Sequence, residues 1–308
     1  MDEVTYLFCP LAFANDVELG WDPTIQRVLV GKEIQYDITF KSPPSVCRTV
    51  KILVDFGADA LTGRGTRIFK AYDTKKSSPT EDDYVAIKDA WRDHDRLPED
   101  EILGKIFVAI AESNNPDAVE DARKYFLTVL QAEDVKIDDK PDDTLKMLHD
   151  CQVPDDCPWW DVSPEKDPSR RSYLPSAGHI PIAPLQEIRA HQKNIEAGNI
   201  NICHKIHFRV VFAELGTPIF DLKLLGDVLE TLEHALKGLP SLFFLFYSPF
   251  TDSCAGLRFM HLAGWVHRDI SAGNVLRCGR QGKIVDLEYA KALDSTGESH
   301  DVRTVSLF

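Results

Sequence analysis

The sequence is short of positive charge. Its 308 residues hold 35 Lys and Arg against 49 Asp and Glu, a formal net charge of −14. General nucleic-acid binding and adhesion to anionic membranes need clustered cations, so this balance argues against both partners. No apolar run is long enough to span a bilayer. The strongest, "LPSLFFLFYSPF" (Leu239–Phe250), is short and carries Pro240 and Pro249. The apolar start "YLFCPLAFA" follows Asp2 and Glu3, where a secretory leader would be basic. No Cys-x-x-Cys pair occurs among the seven scattered cysteines, which fits reduced thiols inside a cell rather than a disulfide framework. No internal repeat is visible. An intracellular location, cytoplasm or nucleus, is the default expectation.

What is present is a mixed pattern. "QYDITF" and "RTVKILVDF" alternate as strands do. "ADALTGRGTRIFKAYD" reads as strand, glycine turn, strand, and "YVAIKDAW" as a third strand. "PEDEILGKIFVAIAES" opens with acidic residues and spaces Ile102, Ile106 and Ile110 as a helix does. Residues from about Asp138 to Pro184 are rich in Asp, Pro and Ser without a period, and read as a surface insertion, partly disordered. "HKIHFRVVFAELGTPI" predicts a buried strand. "DLKLLGDVLETLEHALKGL" predicts an amphipathic helix with Leu222, Leu225, Leu229, Leu232 and Leu236 on its apolar stripe.

Chemistry concentrates in "HLAGWVHRDISAGNVL". His267-Arg268-Asp269 is followed by Asn274, and Asp286 closes an apolar strand twelve residues later. Upstream stand Gly63 and Gly65 in a turn, then "VAIK" ending at Lys88, then the acidic helix start. Each piece alone is common: a surface turn, a hairpin, a strand with a solvated lysine. Together, and in this order, they match the parts of a protein-kinase site. Phosphoryl transfer is mostly positioning and charge neutralisation. Lys88 would hold nucleotide phosphates and a helix glutamate would fix it, with Glu101 the first choice and Glu99 the rival. Backbone amides near Gly63 and Gly65 could approach phosphate because no Cβ intervenes. Asn274 and Asp286 would offer oxygen to Mg²⁺. Asp269 would orient the accepting hydroxyl and take its proton. His267 and Arg268 would brace the loop.

"LGWDPTI", "GRGTRIFKA", "KDAW", "HFRVVFAELGTPI", "GWVHRDISAGNVL" and "VDLEYAK" together resemble the fungal-specific protein-kinase-like family. The resemblance implies an α+β, bilobal protein-kinase-like fold, ATP with Mg²⁺, and transfer to Ser or Thr of a protein substrate. It places the adenine-side hinge at Ala213–Gly216, with Glu214 as a nucleotide contact. The expected organisation is an N-terminal extension (1–60), an upper lobe (61–137), an insertion (138–185), the last upper-lobe strands and hinge (186–216), and a partial lower lobe (217–308). Departures from the pattern include Thr66-Arg67 in place of a third glycine, Ser271 where a lysine is usual, and Asp286-Leu287-Glu288 in place of Asp-Phe-Gly. A pseudokinase or regulatory nucleotide-binding module and a small-molecule phosphotransferase are the alternatives.

With 22 residues after Asp286, the lower lobe is expected to be truncated and activity weak or absent. The apolar face of the 222–238 helix would then lack much of its partner surface. Residues 239–256 and 305–308 carry what translated intron sequence would yield, and are expected to be that.

Overall fold

The computed structural model describes residues 8, 12–56, 65–112, 116–147, 204–236 and 255–293. Residues 1–7, 9–11, 57–64, 113–115, 148–203, 237–254 and 294–308 lie outside the described residues. Gly63, most of the expected insertion, the apolar run and the 305–308 stretch fall there.

A mixed α/β architecture is built on one large antiparallel sheet. Its strands are β1 (Ile25–Val30), β2 (Glu33–Lys41), β3 (Pro44–Phe56), β4 (Thr66–Asp73), β5 (Tyr84–Asp93), β6 (Val129–Asp134) and β9 (Lys205–Phe212). They stand in the order β1-β2-β3-β4-β5-β9-β6. Two short strands, β7 (Lys136–Ile137) and β8 (Lys140–Pro141), form a hairpin beside it.

The sheet runs across the boundary expected at residue 60. β1 to β3 pair in succession with one another and with β4, so residues 25–56 belong to the sheet. The start of the expected insertion, 138–147, also carries regular structure. There the β7–β8 hairpin leads to a short helix, Thr144–Met147, beside β9, and Asp143 bridges Ile206.

Strand alternation sorts the side chains of the sheet onto two faces. Ile87 and Val211 join Ile38, Phe40, Phe69 and Ala71 in one apolar cluster. Their opposite-facing neighbours Ala86, Val210 and Phe212 join Phe208 and Leu127 in another, which also takes in Ile68, Leu276 and Val285. Lys88 belongs to the second face and Asp89 to the first. Burying each such Ile or Phe contributes roughly 1.5–3 kcal/mol before chain entropy is counted.

The longest helix, α1 (Glu99–Glu112), follows β5. Three acidic residues in its first turn suit the positive end of the helix dipole. Ile102, Leu103, Ile106 and Ile110 form its buried stripe, packed with Tyr125, Phe126, Phe259 and Ile284. The remaining helices are α2 (Pro116–Arg123), α3 (Thr144–Met147, the short one beside β9), α4 (Leu225–Leu236) and α5 (Ala255–Leu262). Beyond them, β12 (Val275–Cys278) and β13 (Gln281–Ile284) make a hairpin, and β10 (Thr217–Pro218) extends it. A smaller pair joins β11 (Trp265–Val266) to β14 (Lys291–Ala292).

The leucine stripe expected on the 222–238 helix is only partly the buried one. The helix begins at Leu225, and Leu225 and Leu229 are 72% and 59% exposed. Its packed side is one step round: Val228 and Leu232 meet the core and Thr231 is fully buried. Thr231 and His234 press on Gly282, where a Cβ would come within 2.4 Å of the Thr231 carbonyl oxygen. The β12–β13 hairpin therefore sets the rotation of the helix. Among the described residues no helix is long and apolar enough to cross a membrane.

Candidate functional site

The site lies where β5, the start of α1 and the β13 exit meet the 267–274 loop. Lys88, on β5, donates from Nζ to Glu99 Oε2 at 2.8 Å and to Asp286 Oδ1 at 2.9 Å. Burial disfavours the ammonium, but the Asp286, Glu99 and Glu288 carboxylates outweigh it and push the Lys88 pKa up. The lysine is therefore a fixed positive charge.

Glu99, not Glu101, is the helix partner of Lys88. Glu101 is exposed. The reason is helical geometry: position 99 is three residues before Ile102 and seven before Ile106, on the buried stripe, while 101 points away from it. Glu99 is only 7% exposed. Its second oxygen accepts the Leu287 backbone N–H at 3.1 Å. One carboxylate thus ties the strand lysine to the residue after Asp286.

Asp286 has φ +61° and ψ +64°, and Arg268 has φ +68°. Side-chain-bearing residues avoid this left-handed region unless their surroundings enforce it, and such strain gathers at functional sites. Here the enforcing contacts are visible. Buried His267 donates from Nε2 to the Val285 carbonyl at 3.0 Å and accepts the Asp269 N–H at Nδ1, 3.3 Å away. Burial lowers the His267 pKa, despite the Val285 bond and the nearby Asp286 and Asp269 carboxylates, which raise it. A neutral ring with its proton on Nε2 satisfies both bonds. His267 therefore braces the loop to the strand before Asp286.

Asn274 closes the same loop. Its side-chain NH₂ donates to the Asp269 carbonyl at 2.8 Å and lies 3.3 Å from Asp269 Oδ2. Its backbone carbonyl accepts the Val285 N–H at 3.1 Å. Asp269, Asn274 and Asp286 are thereby coupled through Val285.

The β3–β4 connection holds Gly65 at φ +46°, a conformation glycine adopts without steric cost. Gly63 lies outside the described residues. At the other edge, Glu214 follows β9. Its carboxylate is taken up by protein partners. It accepts the Thr128 N–H and hydroxyl, each at 2.8 Å, and Lys283 Nζ at 2.8 Å. The part of this residue left for a ligand is its backbone.

On the opposite face of the sheet sits an ionic network that no sequence pattern announced. Asp89 is 1% exposed and accepts His207 Nε2 at 2.8 Å, Arg209 Nε at 2.6 Å and Arg67 Nη2 at 2.6 Å. Arg209, fully buried, also donates to Asp22 and Thr24. His207 Nδ1 lies 2.8 Å from Asp142, and Trp91 stacks on the imidazole at 4.8 Å. The "WDPT" of the opening segment is thus pinned beneath the strand that carries Lys88. Among the described residues, no group of three or more His, Cys, Asp or Glu side chains is gathered as a metal cluster.

A protein-family model described as fungal protein kinase matches residues 1–306. No curated protein matches the chain.

Proposed function

The chain belongs to the fungal protein kinase family, and from that premise we propose that it is a bilobal phosphotransferase that uses ATP with Mg²⁺ and passes the γ-phosphate to a Ser or Thr hydroxyl of a protein. The observation that carries this reading is the convergence of Lys88, Glu99, Asp269, Asn274 and Asp286 from distant parts of the sequence. All are linked by hydrogen bonds of 2.8–3.1 Å, directly or through Val285 and Leu287.

Lys88, locked by Glu99, presents a permanent cation to the phosphates. The backbone amide at Gly65, where no Cβ intervenes, approaches them. The purine is assigned to the apolar cluster that holds Ala86 with Ile68, Leu276 and Val285 packed against it. The 213–216 backbone borders it.

Asp286 and Asn274 suit Mg²⁺ by their donor chemistry. Both offer hard oxygen, and Asn274 spends its NH₂ on Asp269, which leaves its side-chain oxygen to coordinate. These two residues would hold Mg²⁺, which would supply neutralisation of phosphate charge. Asp269 is the base: it orients the acceptor hydroxyl and takes its proton, while Asn274 and His267 hold its backbone. Glu288 keeps negative charge near Lys88 where many kinases have glycine.

The experiment is transfer of labelled γ-phosphate from ATP to a mixed Ser/Thr peptide pool by the 308-residue chain and by Asp269→Ala. Weak incorporation by the first, above a no-enzyme control, and its loss in the second is expected. Equal incorporation by both removes Asp269 from the mechanism.

A further inference from the structure

The segment from Ala213 to Gly216 is held at three points. The Ala213 N–H donates to the Thr128 carbonyl at 2.9 Å. The Glu214 carboxylate is gripped by Thr128 and by Lys283, as above. Gly216 lies against the β12 strand so closely that a Cβ there would come within 2.7 Å of Leu276 Cβ and 2.9 Å of the Cys278 sulfur.

Lys283 is the unusual member. It is a lysine only 7% exposed, on β13, three residues before Asp286. Burying an ammonium is unfavourable unless partners compensate for lost water. Nζ donates to the Phe126 carbonyl at 2.6 Å and to Glu214 Oε1 at 2.8 Å. The contact therefore joins three separate parts of the fold: the chain after α2, the chain after β9, and β13. The Ile284 N–H also donates to the Tyr125 carbonyl at 2.9 Å, so β13 and the 125–128 segment are already in register. Without Lys283, the Glu214 carboxylate would keep only its Thr128 bonds, and no charge among the described residues would join it to β13.

We infer that Lys283 is a positioning residue for the nucleotide: through Glu214 it clamps the 213–216 backbone in the shape that receives the purine edge. This rests on the nucleotide reading above. A segment fixed before ligand arrives loses less freedom on binding, so the clamp contributes to affinity rather than to the transfer step. The hydrogen bonds of Lys283 go to Phe126 and Glu214, away from Lys88 and Asp269. Its effect therefore falls on binding and on KM for ATP, with kcat little altered.

The test uses the full 308-residue chain and two readouts. In nucleotide-free protein, hydrogen exchange at the Ala213 amide reports the clamp itself. Lys283→Met should speed that exchange, and should weaken Mg²⁺-ADP binding by calorimetry roughly tenfold, the scale of one charge-assisted hydrogen bond. Lys283→Arg should recover part of both. Glu214→Gln serves as a second variant should Lys283→Met fail to fold, and its effect has the same direction. The loss in the double variant should fall short of the sum of the two single losses, since both residues share the Lys283–Glu214 contact. Unchanged Ala213 exchange and unchanged ADP affinity in either variant overturn the inference, and so do additive losses in the double variant. Absence of ADP binding by the parent chain contradicts the nucleotide reading instead, and the exchange experiment still decides whether the clamp exists.

Discussion

Lys88 Nζ stands 2.8 Å from Glu99 Oε2, at the first residue of helix α1. Glu99 is buried and Lys88 partly so, and the same carboxylate reaches the Leu287 amide. Helix, strand and the Asp286 turn are therefore tied together at one point.

That arrangement separates two neighbouring glutamates. Glu99→Gln should reduce phosphoryl transfer roughly a hundredfold, because displacing a reacting group by even a small distance has that scale of effect. Glu101→Gln should leave the rate within about twofold, as expected of an exposed substitution away from the site. Steady-state kinetics on the three proteins check this.

Asp269 can be tested by splitting kcat from binding. Asp269→Asn should lower kcat by about 10²–10⁴, the usual contribution of a positioned base. The affinity for Mg²⁺-ATP should stay near that of the parent, since the role proposed for Asp269 is on the acceptor side. Calorimetry beside single-turnover transfer measures both.

The pinning of the opening segment has a stability consequence. Arg209→Met would leave Asp22 without its arginine and Asp89 with only Arg67 and His207, and breaking a buried pair this way costs roughly 3–5 kcal/mol. Lys124→Ala removes a solvent-exposed partner of Asp121 and should leave the urea midpoint unchanged within error. Urea unfolding of both variants gives the comparison.

His207 makes stability depend on pH in a stated direction. Burial would depress its pKa, but the Asp142 and Asp89 carboxylates on either side, opposed by Arg209, raise it above the ordinary 6.5. A raised folded pKa means its contribution is complete below about pH 6.5 and fades as pH rises through the folded value. His267 has the reverse sign, since its folded pKa is depressed. Its contribution is present above about pH 6.5 and fades as pH falls. Urea midpoints from pH 5 to 9 should show His207→Gln flattening the alkaline limb and leaving the acid limb in place.

Much of this is legible in the chain, and the failures have physical causes. The strands around "QYDITF", "RTVKILVDF" and "YVAIKDAW" are visible because one face of each is buried and alternation records that. The helix at 99–112 is visible for the same reason, at its own period. Choosing Glu101 over Glu99 neglects the spacing of Ile102, Ile106 and Ile110, which already places 99 on their stripe. The leucine stripe at 222–236 misleads because periodicity shows that a helix has an apolar side, while Gly282 and its hairpin decide which side packs. Lys283 and the Asp89 network leave no trace, since a charged residue in a strand looks the same whether its partners are water or side chains far along the chain.

That Lys88 and Asp286, with Asn274, form a Mg²⁺-nucleotide site is tested most directly by calorimetric titration of the 308-residue chain with ATP. Saturable binding that requires Mg²⁺, and that is lost in Asp286→Asn and in Lys88→Met, is the expected result. Binding that is absent from the parent chain with Mg²⁺, or unchanged in both variants, would contradict it.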